Sequence, residues 1–241
     1  MKTNLTELVF ILDRSGSMGG LESDTIGGFN SMLAKQQKEP GECRITTVLF
    51  DNEYELLHDR IDIKAVSPIS QREYFVRGST ALLDAVGKSI EKIGNAQKNT
   101  AEEYRAGKVL FVITTDGMEN ASRSFSYDKI KEMIQGQKSE YAWEFIFLGA
   151  NIDAVEVANR FGIERSHAQN FHNDRAGIQL NYEVLSQAVS AYRDAPAEAP
   201  LAADWGKEIE KDYKGRMSGG SDGKLASGKS LFAKLFNREN N

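Results

Sequence analysis

Hydrophobic positions along the chain follow two alternating patterns. Leu8–Leu12, Ile45–Phe50, Val109–Thr114 and Phe145–Ala150 are near-continuous apolar runs. Runs without in–out alternation predict strands buried on both faces of a parallel sheet. Between them, apolar side chains recur at helical spacing: Ile26, Phe29 and Leu33; Leu82, Val86, Ile90 and Ile93; Ile130, Met133 and Ile134; Val155, Ala158 and Phe161; and Ile178, Leu185, Val189 and Tyr192. Each set lies along one side of a helix. Tyr54–Ile63 follows Ile45–Asp51 after only Asn52 and Glu53, the spacing of a hairpin, which makes it an antiparallel strand at an edge. A last short strand is expected around Ala168–Phe171. Strands alternating with helices predict an α/β fold, a doubly wound, mostly parallel sheet with helices on both faces and one antiparallel edge strand.

The character changes after about Arg193. Asp194–Gly228 is rich in Ala, Pro, Gly, Ser, Asp and Lys, including Pro196, Pro200 and Gly219-Gly220. We therefore expect one α/β domain over residues 1–195, then a flexible linker and a short amphipathic segment over 196–241. In that last segment Leu231, Phe232, Leu235 and Phe236 share a helical side, flanked by Lys229, Lys234 and Arg238. It is a candidate for partner docking or a membrane surface.

Composition narrows the function. The chain has 241 residues, 40% hydrophobic and 27% charged, with a net charge of -5. That balance suits a globular domain and provides no overall basic field for nucleic acid or anionic lipid. The single cysteine, Cys43, excludes an intramolecular disulfide and a cysteine-built zinc site. The Leu8–Leu12 run is too short for a signal peptide or a membrane span. A cytoplasmic location is the expectation.

The strongest chemical signal is Asp13-Arg14-Ser15-Gly16-Ser17, entered directly from an apolar strand. In an open parallel sheet, ligands bind beyond the carboxyl ends of the strands. Alternation across a turn containing Gly16 aims the oxygens of residues 13, 15 and 17 at one point. Two other segments belong at the same end. Val109–Thr115 leads into Asp116-Gly117, a carboxylate at a strand tip before a glycine turn. Gly78-Ser79-Thr80 opens the second helix and supplies a hydroxyl. Carboxylates and hydroxyls are the ligands that a hard cation such as Mg²⁺ prefers.

Together these residues resemble a von Willebrand factor type A domain with a metal-ion-dependent adhesion site. That site is an Asp-x-Ser-x-Ser turn, a later Thr and an Asp in a Thr-Asp-Gly turn, matched here by Asp13, Ser15, Ser17, Thr80 and Asp116 over roughly residues 5 to 195. The resemblance implies a Rossmann-like fold and a Mg²⁺ ion, with Mn²⁺ or Ca²⁺ as alternatives. Ser15, Ser17 and Thr80 would contact the ion, Asp13 and Asp116 would act mainly through water, and an Asp or Glu of a protein partner would complete the shell. The implied function is a non-enzymatic, Mg²⁺-dependent interaction module, an intracellular bacterial or phage adaptor or scaffold. The rival is a metal-dependent hydrolase or phosphoryl-transfer enzyme with Asp13 as nucleophile. That chemistry calls for a second carboxylate two residues on, where Ser15 stands.

Three other patterns carry less. Gly223–Ser230 matches G-x-x-x-x-G-K-[ST] letter for letter but follows Met217-Ser-Gly-Gly-Ser-Asp-Gly rather than a buried strand, so it lacks the context of a phosphate loop. His167, His172 and Asp174 cluster in sequence without a spacing that suits zinc. Cys43 precedes a strand with no base near it in sequence, and we expect an inert thiol.

Overall fold

A computed structural model describes residues 1–219. Its elements in chain order are β1 (Lys2–Asp13), α1 (Glu22–Gln36), β2 (Glu42–Phe50), β3 (Tyr54–Asp62), α2 (Leu82–Lys98), β4 (Ala106–Thr115), α3 (Tyr127–Tyr141), β5 (Glu144–Gly149), α4 (Ala154–Arg160), β6 (Ala168–Asn170), α5 (Arg175–Asp194) and α6 (Lys207–Gly219). The strands form one six-stranded sheet in the order β3-β2-β1-β4-β5-β6. Only the β2–β3 pair is antiparallel, with β3 at the edge. The doubly wound sheet and its edge hairpin are as the hydrophobic pattern predicts.

The apolar runs serve two cores at once. Leu8, Phe10, Leu12, Leu110, Val112, Ile146 and Leu148 face α1 and α5. Val9, Ile11, Val109, Phe111, Ile113, Phe145 and Phe147 face α2, α3 and α4. Side chains alternate across a strand, so a strand covered on both sides must be apolar at every position.

Two charges sit inside these layers, each with a partner. Glu7 on β1 is fully buried and meets the Arg60 guanidinium at 2.9 Å. Arg60 reaches it from a bulge in β3, where its φ is 51°. Burial still holds the Glu7 carboxyl above its ordinary range, with Arg60 opposing. Lys108 on β4 donates to the carbonyls of Tyr192 (2.7 Å), Arg193 (3.0 Å) and Ala195. Its ammonium thereby occupies the negative end of the α5 dipole.

The described part of the tail departs from the expected linker. Pro196 and Pro200 do lie in irregular chain, but Leu201, Trp205 and Ile209 are buried in the α1–α5 core layer. Trp205 donates to the Ser166 carbonyl at 3.0 Å. Charge pairs hold α6 further on: Arg216 contacts Asp212 and Asp174, each at 2.6 Å. The three apolar anchors stand four apart in a stretch otherwise dominated by Ala, Pro, Lys and Glu, which is too sparse for a hydrophobic stripe. The Gly223–Ser230 pattern and the Leu231–Phe236 docking candidate lie outside the described residues.

Candidate metal centre

The site stands at the carboxyl ends of β1 and β4, the two central strands. Asp13 is the last residue of β1, and its Oδ1 accepts the Ser15 backbone N–H at 2.7 Å, which bends the chain into the turn. The Gly16 N–H donates to the Gly78 carbonyl at 3.1 Å. This tie brings the loop before α2 against the first turn. Gly78 has φ 68°, and a side chain there would collide with Asn52, so the approach requires glycine. Thr80 is then fixed from the third loop: its N–H donates to Asn120 Oδ1 at 2.9 Å, and its carbonyl accepts from Asn120 and Ala121.

All five residues singled out in the sequence come together. Thr80 Oγ1 donates to Ser15 Oγ at 3.0 Å, and Ser15 Oγ lies 3.1 Å from Ser17 Oγ. Ser17 Oγ donates to Asp116 Oδ1. Asp13, Ser15, Thr80 and Asp116 are buried, while Ser17 opens to solvent. Gly117 keeps the space clear, because a Cβ there would stand 3.1 Å from Ser17 Oγ and 3.2 Å from Thr80 Oγ1.

Two buried carboxylates share this space with no cationic side chain beside them among the described residues. Burial pushes the Asp13 carboxyl up to about 6, against hydrogen bonds from Ser15 and Thr115 that pull it down. Burial also raises Asp116, opposed by Ser17 and Asn173. Among the described residues neither carboxylate has an ion-pair partner. The guanidinium groups nearest in sequence are committed elsewhere: Arg14 Nε and Arg77 Nε both donate to Asp51 Oδ2, at 3.0 and 2.7 Å. An uncompensated pair of buried carboxylates is unfavourable. Two carboxylates and three hydroxyls are the donor set that suits a hard divalent cation.

Several contributors were not visible in the sequence. Thr115 donates to Asp13 Oδ2 at 2.6 Å, and Tyr74 donates to the Asp13 carbonyl at 2.6 Å. Asn173 donates to Asp116 Oδ2 at 2.8 Å. Asp51 did carry a signal, since it directly follows β2 where Asp13 closes β1. Thr115 stands beside Asp116 in a turn already suspected. Tyr74 and Asn173 arrive from distant loops.

The other candidates resolve into structural roles. No group of three or more His, Cys, Asp or Glu is arranged to hold a metal among the described residues. His167 faces Glu144 at 3.3 Å, His172 packs against Tyr213 in a tilted ring pair with centroids 4.8 Å apart, and Asp174 caps α5. Cys43 is a buried free thiol, pushed up to about 12 by burial.

No protein-family model matches the sequence, and no curated protein matches it either. Solved structures do. Proximal thread matrix protein 1 from the mussel byssus, with a zinc-occupied MIDAS motif, superposes with a TM-score of 0.53 at 13% identity, over 78% of this chain and 46% of its own. A von Willebrand factor type A structure from Catenulispora acidiphila gives 0.53 at 13% identity, over 78% and 43%. The manganese-loaded TRAP protein of Plasmodium vivax gives 0.54 at 18% identity, over 75% and 73%. This chain has the von Willebrand factor type A fold. It spans less than half the length of the first two structures and about three quarters of the third. The likeness is one of fold, and the site stands on its own geometry.

Proposed function

We propose that Asp13, Ser15, Ser17, Thr80 and Asp116 hold one divalent cation, Mg²⁺ in the first instance, and that the ion grips an acidic side chain of a partner protein. The observation that carries this reading is the pair of buried carboxylates without an ion-pair partner, Asp116 at the end of a chain of three hydroxyls and Asp13 tied to the same turn by the Ser15 N–H. A cation there would relieve the raised carboxyls and gain hard oxygen ligands. The solved relatives by fold include one with zinc in this kind of site and one loaded with manganese. Ser17 is the exposed member of the set, so a partner's Asp or Glu would approach from its side. When bound, the ion would supply a positive charge that an outside carboxylate could ligate.

On this reading the module would serve as an intracellular bacterial or phage adaptor or scaffold. No described helix is long and apolar enough to cross a membrane. The rival phosphohydrolase reading draws less support. Both Asp13 oxygens are engaged, by the Ser15 N–H and the Thr115 hydroxyl, so the carboxylate is poorly placed to act as a nucleophile. Affinity capture from the native cell tests the proposal. Capture in Mg²⁺ that is lost with EDTA and with Asp13→Ala supports it. Capture indifferent to both refutes it.

A further inference from the structure

The loop between β6 and α5 brings a fourth segment to the site. Asn173 Nδ2 donates to Asp116 Oδ2 at 2.8 Å, while Ser17 occupies Oδ1. An ionised carboxylate can only accept, so the orientation of the amide is determined: nitrogen toward Asp116, carbonyl oxygen away from it. That oxygen, Asn173 Oδ1, is buried and has no hydrogen-bond partner.

The flanking residues fix this arrangement. His172 Nε2 lies 3.2 Å from the Tyr213 carbonyl, and the two rings form the tilted pair. Asp174 Oδ1 accepts the Gly177 N–H at 2.8 Å and its Oδ2 meets Arg216 at 2.6 Å. The Asp174 N–H donates to the His172 carbonyl at 2.8 Å. Asn173 is therefore held at Asp116 by its neighbours, with one oxygen unserved.

We infer that Asn173 is a sixth residue of the metal centre, a positioning residue that orients Asp116 for the ion through its amide N–H. This inference rests on the proposed metal site. Residues behind the direct ligands of a metal site commonly alter affinity by about 10–100-fold when removed. Asn173→Ala should therefore weaken Mg²⁺ binding by at least about tenfold. Asn173→Asp adds a carboxylate facing Asp116. It should lower the melting temperature of the metal-free protein, yet give a larger Mg²⁺-induced rise in melting temperature than the wild type shows.

The test is calorimetric titration of the full chain with Mg²⁺, alongside thermal melts with and without the ion. Weakened binding in Asn173→Ala with an enlarged Mg²⁺-induced rise in Asn173→Asp supports the inference. A wild type that binds while Asn173→Ala binds equally well overturns it and leaves the metal site standing. A rise in Asn173→Asp no larger than in the wild type overturns it too, even where the alanine variant fails to fold. A wild type that binds no Mg²⁺ removes the metal site, and this inference with it.

Discussion

The Thr115 hydroxyl donates to Asp13 Oδ2 at 2.6 Å, linking the last residue of β4 to the last residue of β1. The bond steadies a buried carboxylate from a side that no metal ligand uses, so it separates stabilisation of the site from coordination. Thr115→Val keeps the shape of the side chain and removes the donor. Leaving a buried acceptor unmet costs about 1–3 kcal/mol. Urea denaturation should show a loss of that size, and Mg²⁺ affinity should fall because Asp13 holds its proton more tightly.

The raised Asp13 carboxyl makes the metal-free protein sensitive to pH. Its ordinary value is 3.8 and its folded value about 6. The folded state binds the proton more tightly than the unfolded chain, so stability falls as pH rises from about 4 to about 6 and levels off above. The loss attributable to Asp13 is up to about 3 kcal/mol. A bound cation competes with the proton, so Mg²⁺ affinity should fall about tenfold per pH unit below about pH 6. Denaturation melts across this range, with and without Mg²⁺, check both signs. Metal-free stability that rises over the same interval would contradict the assignment to Asp13.

The segment after α5 is tested by Ile209, a core residue 1% exposed on α6. Truncating a buried isoleucine to alanine removes about 2–5 kcal/mol. Ile209→Ala should lower the unfolding midpoint accordingly, where a residue in a free linker would change nothing. Hydrogen exchange of α6 amides should quicken in the same variant.

Ile209 also illustrates what the sequence makes legible. Continuous apolar runs at Leu8–Leu12 and Val109–Thr114 announce strands buried on both sides, because they are short, strand-length runs that end at turn residues. The Asp13–Ser17 turn and Asp116 are visible because each directly follows such a run. Leu201, Trp205 and Ile209 pack just as firmly, but three isolated anchors among charged and small residues are too sparse to read as a hydrophobic stripe. Asn173 and Tyr74 escape for another reason. Each is an ordinary residue in an ordinary loop, and only the path of the chain brings it to Asp13 or Asp116. The ion-paired residues Arg14, Asp51 and Arg77 fall between, since an Asp directly after β2 is visible but its two guanidinium partners are not.

The central claim is that five oxygen-bearing side chains hold one divalent ion, and counting bound Mn²⁺ by electron paramagnetic resonance tests it most directly. The wild-type chain should bind one ion, displaced by excess Mg²⁺, and Asp13→Ala should bind none while its circular dichroism stays native. A wild type that leaves all Mn²⁺ free, or an Asp13→Ala variant that keeps its ion, would contradict the account.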